Sequence, residues 1–226
     1  MIRPHRILLT GAVALLSALC GVCPAAASVT LVRAGAPASR IVTEADPPVT
    51  VRYAVRELQH YLEKISGARL PVAEETATDA GERIRPGIYL GATQTADALG
   101  IRADDLPPDG FRIVALRDEV LVLRGRDYRG PPLPGRHGRV HRNVTPDGTV
   151  RRYGETGTLN AVYRWLETLG VRWFLPGELG EVVPRTDTIV FDGPAVTDAP
   201  HFHYRNLYAF WFDKDPEAAR WWKRVG

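Results

Sequence analysis

The chain has 226 residues, enough for one domain with a hydrophobic core and a shorter remainder. Its 29 basic and 26 acidic side chains give a formal charge of only +3. Although the pI is about 9.0, charge this balanced excludes a protein that binds a polyanion such as nucleic acid through a strong basic field.

The first 27 residues have the pattern of a secretory signal peptide. Arg3 and Arg6 precede an apolar run at 7–19, and three alanines follow at 25–27. The run is shorter than the roughly 20 apolar residues that a membrane-spanning helix needs. We therefore expect a secreted or periplasmic protein that keeps no membrane segment once residues 1–27 are removed.

Both cysteines, Cys20 and Cys23, lie inside this predicted signal. The mature chain then has no cysteine for a disulfide or for a thiolate metal site. A lipoprotein anchor on one of these cysteines is the alternative. Leu19 and Val22 disfavour it, because small residues usually precede a lipidated cysteine.

The predicted elements of the mature chain begin with strands. Two short β-branched, apolar runs at 29–33 and 40–43 predict two strands joined by a turn. A helix is predicted at 50–65, where apolar residues recur every three or four positions. We expect Thr50 to cap the start of this helix and Gly67 to end it in the left-handed conformation.

Short strands and a second, smaller helix follow. A strand is predicted to begin at 70–72, and another at 87–90 leads into a helix at about 93–99. Apolar runs at 111–116 and 120–123 predict a hairpin of central strands that are covered on both faces.

The character of the sequence changes after this hairpin. Residues 124–152 are rich in arginine, glycine and proline, and they are predicted to form a long irregular loop. A third helix is predicted at 158–169, with Gly170 closing it. Strands at 171–174 and 188–191 complete the predicted set.

Strands that alternate with helices, together with one antiparallel hairpin, predict an α/β fold in which helices pack on a mixed β-sheet. Residues 192–200 contain a glycine and two prolines and are interpreted as a linker. A last helix is predicted to begin after Pro216. Residues 201–226 also hold more aromatic side chains than so short a segment can bury by itself. These are Phe202, Tyr204, Tyr208, Phe210, Trp211, Phe212, Trp221 and Trp222.

Four motifs in a fixed order carry a resemblance to a known family. The motifs are Glu57–Leu62 with Ser66-Gly67 and Leu70-Pro71, then Gly87–Gly91, then Gly110-Phe111, then Gly154–Pro184. In this order they resemble the N-terminal domain of α-glucuronidases and the related second domain of β-hexosaminidases. The resemblance covers about residues 29–196, and it is closest to bacterial secreted, glycosidase-like proteins of the DUF4838 type.

The resemblance implies that residues 28–196 form a small domain that packs beside a TIM-type barrel. Residues 197–226 would then form a linker and the first strand of that barrel, at Ala199–Arg205. The barrel binds the carbohydrate substrate in such proteins, so the catalytic acid and base would lie beyond Gly226, and no cofactor is implied. The basic insertion between Arg124 and Tyr153 departs from the family, in which the passage from strand to helix is short.

The predicted function is a non-catalytic accessory domain of an exported glycoside hydrolase that acts on polysaccharides or uronic-acid glycosides. The alternative is a free-standing carbohydrate-binding module that captures acidic sugars through the arginine-rich loop. Several side chains are expected near the substrate or at the contact with the barrel. They are Arg126, Arg172, Trp173, Phe174, Glu178, Arg205 and Trp211.

A complete small glycosidase would need two carboxyl groups about 5 to 9 Å apart. Glu178 and Glu181 are the candidate pair, although carboxylates in a Pro-Gly turn are more often solvated. His201 and His203 would face one side of a strand as two metal ligands do, but a third ligand is missing, so no metal site is predicted. The sequence also lacks a serine-hydrolase elbow, a phosphate loop and a dinucleotide motif.

Overall fold

The computed structural model describes residues 28–76, 84–117, 119–130, 155–202 and 216–225. The predicted signal peptide and most of the arginine-rich segment lie outside these ranges. The described strands and helices are β1 (Val29–Arg33), β2 (Ala36–Pro37), β3 (Ile41–Thr43), α1 (Val49–Ser66), β4 (Val72–Glu74), β5 (Gly87–Leu90), α2 (Gln94–Ala98), β6 (Phe111–Leu116), β7 (Val120–Gly125), α3 (Gly157–Thr168), β8 (Arg172–Trp173), a 3₁₀ turn (Glu178–Gly180), β9 (Glu181–Val182), β10 (Ile189–Phe191), β11 (Val196–Asp198) and α4 (Pro216–Val225).

A six-stranded mixed sheet, in the order β11-β6-β7-β5-β3-β4, forms the centre of the fold. Strands β4, β3, β5 and β7 run parallel, and β6 and β11 continue the sheet as antiparallel strands. The predicted hairpin is confirmed in β6 and β7, whose register pairs Phe111 with Gly125 and Leu116 with Val120. Every residue of β7 is buried, as expected of an inner strand that is covered on both faces.

Alternate side chains of β7 belong to two different apolar clusters, one on each face of the sheet. Leu121 and Leu123 pack in the cluster that contains the buried faces of α1 and α3. Val120 and Val122 pack in a smaller cluster with Ala96 of α2. The predicted α/β fold, with helices packed on a mixed sheet, is confirmed.

The first long helix, α1, ends as predicted but begins differently. Gly67 adopts φ of 77°, and its N–H donates to the carbonyl of Glu63 at 2.8 Å. The prediction that Thr50 caps the helix is wrong, because the N-cap is Pro48 and the buried Thr50 hydroxyl has no hydrogen-bond partner among the described residues. Proline has no side-chain oxygen that could accept from the first N–H groups of the helix, so no side-chain hydrogen bond caps this end.

Strands β1 and β3 do not pair with each other, although they were predicted as two strands joined by a turn. The turn at Ala34-Gly35 connects β1 only to β2, and β1 also pairs with β10 in a separate three-stranded sheet. Strand β3 joins the large sheet instead, where Ile41 and Val42 are both buried. A strand buried on both faces needs neighbours on a covered sheet, which a short hairpin cannot provide.

Part of the segment interpreted as a linker is a strand. Val196–Asp198 form β11, which pairs antiparallel with β6 in a register that joins Val196 to Ile113 and Asp198 to Phe111. An outer strand leaves its backbone N–H and C=O groups unpaired, and β11 satisfies those of β6 on this side. Strand β4 begins at Val72, within the predicted start at 70–72.

The last described helix, α4, begins at Pro216, whereas its start was predicted just after this residue. Proline suits the first helical position because the N–H that it lacks would have no partner there. The helix packs beside β8, and Trp221 contacts the larger apolar cluster. None of the described helices is both long enough and apolar enough to cross a membrane.

Candidate functional site

Three polar side chains lie along one face of α1. Tyr53, Glu57 and Tyr61 are spaced four residues apart, so they stack on the same side of the helix. All three are buried, against Tyr163 of α3 and Trp173 of β8. A buried carboxylate needs partners, so the groups around Glu57 define this site.

Arg224 of α4 joins Glu57 to Glu181. Its Nε lies 3.0 Å from Glu57 Oε2, and its Nη1 lies 2.8 Å from Glu181 Oε1. Glu181 also binds Lys64 Nζ at 2.7 Å and accepts a hydrogen bond from Tyr61 Oη at 2.7 Å. We call these five residues the carboxylate cluster.

Aromatic rings enclose the carboxylate cluster. Trp173 Nε1 donates to Tyr61 Oη at 2.7 Å, and the Trp173 ring meets the rings of Tyr61 and Tyr163 edge-on, with centroids 5.3 and 5.4 Å away. The Arg224 guanidinium carbon lies 5.3 Å from the centroid of the Tyr61 ring, within the range of a cation–π contact. Trp221 Nε1 donates to the carbonyl of Trp173 at 2.9 Å, so indole and guanidinium groups together attach α4.

The charged groups of the carboxylate cluster stabilise one another. Burial by itself would lower the pKa of the Arg224 guanidinium, but the charge and hydrogen bond of Glu57 outweigh burial and raise that pKa. Burial by itself would raise the pKa of Glu181, but hydrogen bonds from Lys64 and Tyr61 outweigh it and lower that pKa. Burial also raises the pKa of Tyr61, so this hydroxyl stays a donor near neutral pH.

The two carboxylates of the cluster and the guanidinium between them are closed to solvent. The side chains of Glu57, Glu181 and Arg224 are only 9%, 8% and 7% exposed. A carboxyl group that acts as acid, base or nucleophile must reach its substrate. Because both carboxylates bind the same guanidinium, this arrangement holds α4 in place and is not arranged for glycoside hydrolysis.

The segment after β8 exposes apolar side chains. Phe174, Leu175, Leu179 and Val182 have relative exposures of 66%, 62%, 103% and 50%, and we call these four the apolar loop surface. The backbone of this loop is tightly folded, since Phe174 N donates to the Gly180 carbonyl at 2.8 Å and a Cβ on Gly180 would lie 2.0 Å from the Leu175 carbonyl oxygen. Exposed apolar side chains grouped in this way are typical of a contact surface.

Four of the predicted site residues lie in β8 or in the loop that follows it. Trp173 is buried against the carboxylate cluster, and Phe174 belongs to the apolar loop surface. Arg172 donates to two backbone carbonyls at 2.7 Å, and Glu178 is exposed in the 3₁₀ turn. The two members of the candidate catalytic pair thus have different surroundings, because Glu181 is buried among cations and Glu178 faces solvent.

Arg126 lies elsewhere, beside the carboxyl end of β7. Its Nε lies 2.9 Å from Glu155 Oε2, and its Nη1 donates to the Leu106 carbonyl at 3.0 Å. The other two predicted site residues, Arg205 and Trp211, lie outside the described residues.

The carboxyl ends of the parallel strands carry a second group of acidic side chains. Glu44 follows β3, accepts from the Ala92 N–H at 3.0 Å, and pairs with both Nη atoms of Arg129 at 2.6 and 2.8 Å. Asp127 follows β7 and accepts from the Thr158 N–H at 3.1 Å and from the Thr158 hydroxyl. We call Glu44, Asp127, Arg129 and Thr158 the sheet-edge cluster.

The sheet-edge cluster occupies the place where open α/β sheets commonly bind ligands. Burial raises the pKa of Asp127 to about 7, although both hydrogen bonds from Thr158 act against this change. The hydrogen bond to Glu44 raises the pKa of Arg129. The polar groups of this edge thus bind one another.

Sequence patterns did not indicate that Glu57, Lys64 or Arg224 belongs to a site. The one local signal is that Glu57 interrupts the apolar stripe of α1, three residues after Ala54 and four before Tyr61. Its partner Arg224 lies 167 residues further along the chain, beyond the reach of any local pattern.

Within the described part of the chain, no group of three or more histidine, cysteine, aspartate or glutamate side chains could hold a metal ion. His201 is exposed, and His203 lies outside the described residues.

No protein-family model and no curated protein matches this chain. Among solved structures, a family GH115 4-O-methyl-α-glucuronidase with specificity for decorated arabinogalactans is similar, with a TM-score of 0.50 and 15% sequence identity. The match covers 78% of this chain and 19% of that enzyme, so this chain spans about a fifth of the enzyme's length. At this identity the likeness shows a shared α/β fold, one that also occurs within a glycoside hydrolase.

Proposed function

We propose that this chain forms a non-catalytic accessory domain of an exported glycoside hydrolase that acts in carbohydrate degradation. The domain would extend from residue 28 to at least Asp198, since β11 is part of the central sheet. Residues 1–27 would direct export and be removed. The parent protein would resemble the secreted glycosidase-like proteins of the DUF4838 type.

The similarity in fold supports the domain-sized role. The similar α-glucuronidase is about five times as long as the part of it that this chain matches. A chain that folds like about a fifth of such an enzyme fits a supporting domain better than a complete catalyst. In the proposal, the carbohydrate substrate binds a catalytic domain outside the described residues.

The observation that carries the proposal is the contrast between the carboxylates and the apolar loop surface. Glu57 and Glu181 are bound to Arg224 and closed to solvent, whereas Phe174 and Leu179 are exposed beside them. Bound carboxylates disfavour catalysis here, and exposed apolar side chains favour contact with a further domain of the same protein.

Two measurements test the proposal. The genomic sequence downstream of codon 226 is translated, and hydrolysis of aryl glycosides and of glucuronoxylan is compared between residues 28–226 and the product that includes any continuation. We expect a continuation with alternating strands and helices, and hydrolysis only by the longer product. Hydrolysis by residues 28–226, lost in a folded Glu178→Gln, Glu181→Gln double variant, would contradict the proposal.

A different result would favour the binding-module alternative. Residues 28–226 would then bind uronate oligosaccharides without hydrolysing them. Binding would be lost on Arg136→Ala with Arg139→Ala, two positions outside the described residues. Isothermal titration measures this binding directly.

A further inference from the structure

We infer that Glu57, Glu181 and Tyr61 form a binding site for a guanidinium group. Arg224 occupies this site as a tethered ligand and thereby docks α4 onto the domain. The inference concerns how the chain holds its last described helix, and it does not depend on the function proposed above.

The site fits the shape of a guanidinium group. Nε and Nη2 of Arg224 face the two oxygens of Glu57 at 3.0 and 3.4 Å, while Nη1 lies 2.8 Å from Glu181 Oε1. The Tyr61 ring contacts the same group at 5.3 Å from its centroid. A planar cation with donors on all sides can satisfy two carboxylates and an aromatic face together, which a compact ammonium group cannot do.

The charge of the site also selects a cation. Lys64 Nζ pairs with Glu181 at 2.7 Å, so one of the two carboxylate charges already has a partner. Glu57 otherwise accepts only from neutral Tyr163 Oη, at 3.0 Å, among the contacts that the structure defines. An unpaired buried charge is strongly destabilising, so the site without Arg224 would bind a single cation.

Helix α4 presents the guanidinium on its packed side. Ala218, Trp221 and Arg224 are spaced three residues apart, so each lies beside the next along the helix surface. Ala218 is 4% exposed, and Trp221 Nε1 donates to the Trp173 carbonyl at 2.9 Å. A small buried residue, an indole and the guanidinium group thus act together in docking α4.

Chemical rescue tests the inference in the full chain. Arg224→Ala removes the guanidinium and two carbons, which N-ethylguanidinium can replace. We expect Arg224→Ala to lower the Tm by about 5–15 °C, because it leaves the Glu57 charge buried and unpaired. Millimolar N-ethylguanidinium chloride should recover at least about half of this loss by binding the folded state. N-propylammonium chloride and sodium chloride at the same ionic strength should recover little.

The variant Arg224→Ala with Glu57→Gln should show no rescue, because the one carboxylate that Lys64 does not pair with is gone. Arg69→Ala breaks an exposed ion pair with Glu63, so this matched control should change the Tm little and gain nothing from N-ethylguanidinium. The inference is overturned if N-ethylguanidinium leaves the Tm of Arg224→Ala unchanged or stabilises the double variant equally. If Arg224→Ala does not fold alone, circular dichroism compares its refolded fraction with and without N-ethylguanidinium, and the same outcomes decide.

Discussion

The carboxylate cluster and the sheet-edge cluster both hold buried acidic side chains, but they satisfy them in different ways. Glu57 and Glu181 bind the buried guanidinium of Arg224 on α4, far away in the sequence. Glu44 accepts from the Ala92 N–H in the loop after β5, and Asp127 accepts from the Thr158 N–H in the first turn of α3. The cation beside Glu44, Arg129, is 48% exposed. A buried cation joins the carboxylates of the first cluster, whereas backbone N–H groups and a half-exposed cation hold those of the second at one end of the sheet.

From this difference we expect the solvent exposure of the cation to decide what a buried carboxylate contributes to stability. A charge pair that is buried on both sides is little screened by water or salt, and removing one partner leaves the other unsatisfied. A pair with an exposed cation loses much less when it is broken. The same substitution should therefore have unequal effects in the two clusters.

The largest loss of stability is expected for a substitution beside the sheet-edge cluster, and a steric clash is its cause. A Cβ on Gly157 would lie 2.4 Å from both Arg126 N and the Gly110 carbonyl oxygen. Alanine favours a helix over glycine by about 1 kcal/mol, but a clash with backbone on two sides outweighs this preference. We expect Gly157→Ala to lower the free energy of unfolding by at least about 4 kcal/mol, measured by urea denaturation.

Gly67→Ala is the matched control for this prediction. Gly67 has φ of 77°, but no neighbouring atom lies within 4 Å of the added Cβ. Only the cost of the left-handed conformation remains, about 1 kcal/mol. If Gly157→Ala lowers the free energy of unfolding no more than Gly67→Ala does, then the end of β7 and the start of α3 do not lie as close together as the structure shows.

The next largest effect is expected in the carboxylate cluster. Glu57→Gln keeps the shape of the side chain but leaves Arg224 with one carboxylate, so we expect a loss of about 3 kcal/mol in the free energy of unfolding. Glu63→Gln, in an exposed ion pair with Arg69, should cost less than about 0.5 kcal/mol. Equal losses of unfolding free energy in the two variants would show that the ion pair between Glu57 and Arg224 adds no more stability than an exposed pair.

Glu44→Gln should have a smaller effect than Glu57→Gln. The amide oxygen can still accept from the Ala92 N–H, and Arg129 can turn to solvent, so we expect a loss of about 1 kcal/mol. Raising the salt concentration should shrink this loss more than that of Glu57→Gln, because exposed charges are screened more strongly. Identical salt dependence in the two variants would remove the distinction between the clusters.

Local patterns predicted the elements that contain a long periodic or continuous set of apolar residues. The three- and four-residue spacing located α1 and α3 to within two residues, and continuous apolar runs located β6 and β7. Strands β10 and β11 have three residues each, and their pairing depends on distant partners, as in Val29 with Phe191 and Val196 with Ile113. A pattern this short cannot specify its partner.

The candidate site was less predictable than the fold. Trp173 was selected from the sequence, and it does contact the carboxylate cluster. Glu57 and Arg224 were not, because a glutamate in a helix and an arginine in an amphipathic tail both have ordinary roles at the surface. Only the packing of α4 against α1 makes them partners.

The smallest predicted effect concerns Asp127 and depends on pH. Burial raises its folded-state pKa to about 7, above the ordinary value of 3.8. The folded state therefore binds more protons than the unfolded state between these two pH values, and the contribution of Asp127 to stability falls as the pH rises through this window.

Asp127→Asn removes that dependence and keeps an acceptor for the Thr158 N–H. We expect the variant to gain stability relative to the native chain from about pH 5 to about pH 8, by less than about 1 kcal/mol because both hydrogen bonds from Thr158 favour the ionised carboxylate and offset part of the cost of burial. Urea unfolding of both proteins at the two pH values measures this gain, and a relative loss at the higher pH would mean that the carboxylate is held ionised by Arg129 and Thr158.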